Sequence, residues 1–177
     1  MKGEVSNIII RYALLVLLGL GNLYIIYLIL TPVTLYLVYF ALKLIADPIL
    51  ISNAILLKGY LIELIPACIA GAAYYLLLIL NLTTPMDIEK RIKSLIFLVI
   101  SFLILNTIRI IVFIILIINQ FRYFDVSHKA VWYFGSTVLL VLVWFVNMRL
   151  FKIKAIPAYT DLNNLYKLRL IKRKRNN

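Results

Sequence analysis

The sequence predicts an all-α membrane protein, a bundle of about five transmembrane helices with a short extracytoplasmic β-hairpin-like segment. Three observations carry that prediction. The first is composition: of 177 residues, 64% are hydrophobic and only 15% are charged. Mean hydropathy is +1.02, whereas a soluble domain is about half apolar and about a quarter charged. The second is spacing: the apolar residues fall in runs, several of them near the ~20 residues that cross a ~30 Å hydrocarbon core. The third is charge placement. The chain holds 19 basic and 7 acidic residues, a net charge of +12, and the excess gathers most in the C-terminal tail, as in cytoplasmic segments of membrane proteins. The length suits one bundle rather than several domains.

The first span is predicted over 12–30 and ends at Thr31-Pro32. A second apolar run, 31–46, stops at Asp47-Pro48. Asn53, Lys58 and Glu63 make the next stretch a poor span. Asn53–Leu57 and Tyr60–Leu64 read instead as two extended runs about a Lys58-Gly59 turn, a hairpin at the membrane surface. The third span covers 68–82; Gly71, Ala72 and Ala73 near its start permit close helix packing. Thr83-Thr84-Pro85 ends it, and the loop carrying Asp87, Glu89, Lys90, Arg91 and Lys93 reads as cytoplasmic. The fourth span is 95–118, interrupted by Asn106 and Arg109, and the fifth is 128–151. The tail, 152–177, is basic and reads as a cytoplasmic segment drawn to anionic headgroups rather than to nucleic acid. No small-residue cleavage site follows the first apolar run, which reads as an anchor. Two full spans before the hairpin place the N-terminus outside, whereas Lys2 and Arg11 favour the inside, and a re-entrant second run allows that. Both arrangements stay open. Localisation is read as multi-pass in the cell membrane.

With the 86–93 loop and the tail inside, the start of the third span and the start of the fifth lie outside. Cys68 is at the first place and His128 at the second. Arg109 sits nine residues, about 14 Å, before the outer end of its helix. A charge deep in a span costs about 2.5–3.5 kcal/mol on insertion scales, so Arg109 asks for a reason; snorkelling or bonding to a carbonyl is the ordinary one. Asn106, one turn earlier, shares its face. A lone cysteine is ordinarily a small apolar filler or a palmitoylation site, and a histidine beside Trp132 and Tyr133 an interfacial ring. Together, however, a thiolate nucleophile, an imidazole that exchanges protons near neutral pH and a guanidinium that stabilises a thiolate or oxyanion are a complete acyl-transfer set.

The stretch from Asn53 through Gly59 to Ile62-Glu63-Leu64-Ile65-Pro66-Ala67-Cys68-Ile69-Ala70-Gly71 resembles the segment leading into the active-site cysteine of the exosortase/archaeosortase family. Asn106-Thr107-Ile108-Arg109-Ile110 resembles that family's N-x-x-R-I motif, and His128 followed by Trp132 its third block. The family carries Ser or Thr and then Gly directly after the cysteine; this chain has Ile69, Ala70 and Gly71. The likeness spans roughly 50–140, in a chain shorter than many relatives, as in a reduced, archaeal-like member. It implies a membrane cysteine peptidase/transpeptidase. Cys68 would attack near the C-terminal sorting signal of a surface protein and form a thioester, which an acceptor such as a lipid amine resolves. Arg109 would stabilise the thiolate or oxyanion, His128 would be the acid/base, and Asn106 would orient Arg109. The partners implied are substrate proteins with a C-terminal motif, a transmembrane helix and a basic cluster, together with membrane lipid; no nucleic acid, cofactor or metal is implied, and the site faces the extracytoplasmic side.

Other classes fit less well. One cysteine excludes a CxxC redox pair. One histidine and no HExxH argue against a zinc protease, and the lack of GxSG argues against rhomboid-type serine chemistry. The competing expectation is a non-enzymatic membrane scaffold or transporter subunit in which Arg109 serves packing or an ion path.

Overall fold

The computed structural model describes residues 2–153 together with 155, 157, 159 and 166, and side chains from residue 6 onward. Most of the predicted basic tail lies outside the described residues. The chain is mostly helical, with one small antiparallel sheet. Among the described residues, three helices are long and apolar enough to cross a membrane, at Tyr24–Lys43, Ile88–Ile118 and Phe124–Leu150; Ser6–Gly19 and Pro66–Leu82 are shorter apolar helices. Three full-length helices and two short ones thus stand where five spans are predicted.

The N-terminal boundaries differ most. α1 is Lys2–Gly19 and α2 is Tyr24–Lys43, so the break falls inside the predicted first span and not at Thr31-Pro32. Gly21, Asn22 and Leu23 have φ of 68°, 54° and 61°, a left-handed stretch that no helix continues through. Pro32 lies inside α2 instead. It forfeits one N–H, a loss that helices in apolar surroundings tolerate when neighbours pack around them.

The predicted hairpin is present with one more strand. β1 (Ile49–Ile51), β2 (Ala54–Leu57) and β3 (Tyr60–Glu63) form an antiparallel sheet in the order β1-β2-β3. Leu57 pairs with Tyr60 across Lys58-Gly59, whose φ values of 49° and 83° fit the tight turn that matches strand twist. Ile55 and Leu57 face the core, with Leu35, Val38 and Leu42 of α2 beneath them.

α3 (Pro66–Ile69) is one turn long, and Ala70 separates it from α4 (Gly71–Leu82). α5 (Ile88–Ile118) starts earlier than predicted, directly after Asp87. α6 (Phe124–Ala130) passes through a π-helical turn, Val131–Gly135, into α7 (Ser136–Leu150). α5 is the central column and packs on α2, α4 and α7. One buried cluster joins α2, β2, Ile69, Ile110 and Ile114; a second joins Tyr74 and Leu77 of α4, Leu98 and Phe102 of α5, and Leu140, Val143 and Trp144 of α7.

α1 and α2 do not form a helical hairpin, since no interface between them ranks among the molecule's packed pairs. They follow α4 in one direction. Arg11 donates to Leu82 O at the end of α4, at 2.7 Å. The Tyr75 hydroxyl, midway along α4, donates to Leu15 O at 2.9 Å. The Tyr27 ring of α2 lies against Gly71 at the start of α4, where a Cβ would come within 2.6 Å of Cζ. The left-handed residues displace the helix axis without reversing it.

Candidate active site

The β3 strand leads straight into α3, which carries Cys68. Pro66 opens the turn at the position where its missing N–H costs nothing. The Cys68 N–H donates to Ile65 O at 2.8 Å. Ala70 ends the turn with φ 59° and ψ 39°, its own N–H returning to Pro66 O. Because the helix breaks there, the carbonyls of Cys68 and Ile69 have no partner one turn on, and α5 supplies partners for both. Asn106 Nδ2 donates to Cys68 O at 3.0 Å and to Ile69 O at 3.4 Å. Arg109 donates to Cys68 O at 3.2 Å and, through its other terminal nitrogen, to the Ser136 hydroxyl.

Asn106 is 1% exposed. Its amide holds the cysteine's backbone, beside Arg109 on the same carbonyl. Its Oδ1 has no hydrogen-bond partner among the described residues. No sequence pattern marks Ser136. A serine at the start of a helix carries no signal of its own, and only the crossing of α5 and α7 reveals that it anchors a guanidinium. A guanidinium has more N–H donors than these two acceptors use, and Arg109 also borders open space.

That space is a cavity of about 490 Å³, within the range of small-molecule and peptide pockets. Cys68, Arg109 and His128 all line it. Its remaining walls are apolar for the most part, with Glu63 and Lys129 as the other charged residues. The fold therefore gathers the three candidates, which are widely separated in sequence, around one volume. His128 is held by rings: it stacks on Phe124, centroids 5.4 Å apart and planes 9° off parallel, and meets Phe113 edge-on at 4.9 Å. No hydrogen bond joins it to Cys68 among the described residues. The thiol is half-buried and not in a disulfide. Trp132, in the π-helical turn, completes the wall beside His128; such turns interrupt helices at functional sites more often than elsewhere.

The arrangement holds a thiol, an imidazole and a guanidinium against a mostly apolar volume large enough for a short peptide segment. Comparison with known proteins adds no assignment: no protein-family model, curated protein or solved structure matches this chain.

Proposed function

We propose that the chain is a multi-pass membrane cysteine peptidase of the transpeptidase type, similar to a reduced, archaeal-like exosortase/archaeosortase. The observation that carries this reading is that Cys68, Arg109 and His128 line one cavity. In the proposed reaction the Cys68 thiolate attacks the carbonyl carbon of a peptide bond near a C-terminal sorting signal. Arg109 stabilises the oxyanion with the donors that Cys68 O and Ser136 leave over. The C–N bond breaks, the leaving amine takes a proton from the His128 imidazolium, and the substrate remains as a thioester on Cys68. An acceptor such as a lipid amine then attacks the thioester, His128 removes its proton, and the thiolate leaves. Substrate binding must bring the imidazole and the reacting atoms together, as is common for catalytic contacts that are loose in the free enzyme.

The proposed topology has four crossings rather than five. α1 and α2 follow α4 as one broken column, so together they make one crossing, with the N-terminus inside, as Lys2 and Arg11 favour. The sheet then lies outside, α3–α4 returns, α5 crosses outward and α6–α7 returns to the basic tail. Cys68, His128 and the cavity face the extracytoplasmic side, where a surface protein held by a transmembrane helix and a basic cluster would present its cleavage site.

The test is to co-express the protein with candidate sorting-signal proteins and measure its intact mass. A substrate-mass thioester in wild type or His128→Ala, absent in Cys68→Ala, supports acyl transfer. A second reading is favoured by one observation: Asn106 and Arg109 grip a main-chain carbonyl of α3, as structural ties would. In that reading the protein is a non-enzymatic scaffold or transporter subunit. Normal substrate processing in a folded, inserted Cys68→Ala variant would favour it.

A further inference from the structure

The candidate site contains an element that the acyl-transfer chemistry does not use. β3 is an edge strand, paired only to β2. In a hairpin closed by two residues, the flanking pair exchanges both main-chain bonds, and the pattern alternates from there. Tyr60 and Ile62, opposite Leu57 and Ile55, therefore spend their N–H and C=O on β2. Leu61 and Glu63 direct theirs away from the sheet.

The cavity meets that free edge. Ile62, Glu63, Leu64 and Ile65 are consecutive, and all four line it together with Cys68. Successive side chains of an extended strand point to opposite faces, so a volume bordering only one face would touch every second residue. A volume touching both Ile62 and Glu63, the last two residues of β3, borders the edge there, and Leu64 and Ile65 continue its wall toward Cys68. The free edge of β3 thus enters a mostly apolar cavity at Glu63, whose main-chain donor and acceptor lie on the way to the thiol.

We propose that the peptide substrate binds as an added strand on the free edge of β3, its main chain paired to Glu63 where the cavity meets the strand, so that the next residues reach Cys68. This rests on the peptidase reading and specifies how that site takes its substrate. The chemistry of the edge selects the occupant. An extended polypeptide satisfies alternating donors and acceptors. A lipid chain filling the same volume leaves them unpaired in an apolar wall, which is costly. Main-chain pairing also leaves recognition tolerant of side chains on the residues it holds, with selectivity set by the walls contributed by Phe113, Phe124 and Trp132.

The experiment uses the full-length, detergent-solubilised protein and a library of tetrapeptide vinyl sulfones, read by the rate of Cys68 labelling. The fastest peptide is then remade with one N-methylated amide at a time. Alternate positions face the edge, so sensitivity should alternate, with about tenfold slower labelling at each edge-facing amide. Glu63→Pro, which removes an edge donor but no β2–β3 bond, should slow peptide labelling by a similar factor while N-ethylmaleimide still labels Cys68 at the wild-type rate; Glu63→Gln, which keeps the donor, should fall far less. Uniform tolerance of N-methylation would overturn the added strand and leave the cysteine peptidase intact. If no peptide labels Cys68 faster than methyl vinyl sulfone does, the peptidase reading falls and the added strand with it. Should Glu63→Pro fail to fold, the N-methyl series on wild type decides alone.

Discussion

Ala70 holds a left-handed backbone, φ 59° and ψ 39°, where L-residues other than glycine lose about 1–2 kcal/mol. The exosortase-like pattern quoted above has glycine at this place, two after the cysteine, and here glycine comes one residue later. Gly71 has a separate reason to be glycine, since the Tyr27 ring occupies the space of its Cβ. Ala70→Gly should therefore stabilise the protein by about 1 kcal/mol, net of the greater freedom of the unfolded chain. Thermal unfolding in detergent checks it; a lower midpoint would mean that Ala70 is not left-handed in the native state. Arg109 calls for a different argument. Its planar fork reaches Cys68 O and the Ser136 hydroxyl at once, which a single ammonium on a flexible stem does not reproduce. Arg109→Lys should cut acyl transfer by about 10²-fold, measured as thioester formation on Cys68, although the charge is kept. Wild-type rates in that variant would remove Arg109 from the mechanism.

At the scale of elements, helix ends decide more than helix middles. α4 stops at Leu82, where its last carbonyls need donors from outside the helix; the Thr83 and Thr84 hydroxyls meet Ile79 O and Leu80 O, and two arginines meet the end beyond them. Arg91 donates to Asn81 O at 2.6 Å and to Thr84 O at 3.0 Å, while Arg11 reaches Leu82 O. A cation at a helix C-terminus also favours the helix dipole. Arg91→Ala should cost about 1–3 kcal/mol through Thr84 O, which loses its arginine donor, and Asn81 O, which keeps only backbone N–H donors, read by detergent unfolding; a loss within about 0.5 kcal/mol would show that water replaces the guanidinium. In the sequence Arg91 was read only as a loop charge marking the cytoplasmic side. The Lys58-Gly59 turn was legible, because glycine and a tight turn are linked by backbone sterics. β1 was not, since Ile49–Ile51 is a short apolar run that fits the end of a helix as well as a strand. The chain breaks at Gly21-Asn22 and not at Thr31-Pro32: proline is the stronger breaker in water, yet α2 continues through Pro32 within its packed surroundings.

The whole molecule is built on two polar levels within apolar columns. At one level Asn81 donates to Ser94 at 2.8 Å and Ser94 to Asn147 at 2.9 Å, tying α4, α5 and α7. At the other, Cys68 O, Asn106, Arg109 and Ser136 tie α3, α5 and α7. Ser94 and Asn106 are twelve residues apart on α5, about 18 Å along its axis. Hydrogen bonds at two depths fix the helices in register, which non-directional apolar contact between helices does not do. The four-crossing proposal makes a direct prediction. Cys68 is the sole cysteine, so a membrane-impermeant maleimide added to intact cells should label the wild-type protein and not Cys68→Ala, and a tag on the N-terminus should resist external protease until the membrane is opened. Labelling only after permeabilisation would invert the proposed orientation, and an N-terminal tag cleaved from outside would restore a fifth crossing.

Composition and run length by themselves determined that most of this chain is apolar helix, because hydrophobicity summed over about twenty residues is a local property. They also singled out Arg109, because a charge inside such a run is costly wherever the run lies. Only the tertiary structure decided that α1 and α2 form one column, that Asn106 and Arg109 hold the carbonyl of Cys68, that Ser136 anchors the guanidinium, and that the edge of β3 opens on the same cavity as His128. Each of these depends on where a helix breaks and which neighbour stands opposite the break. A carbonyl freed at Ala70 has no partner in its own segment, and its partner lies on α5, on the far side of a turn whose course no local pattern in the chain records.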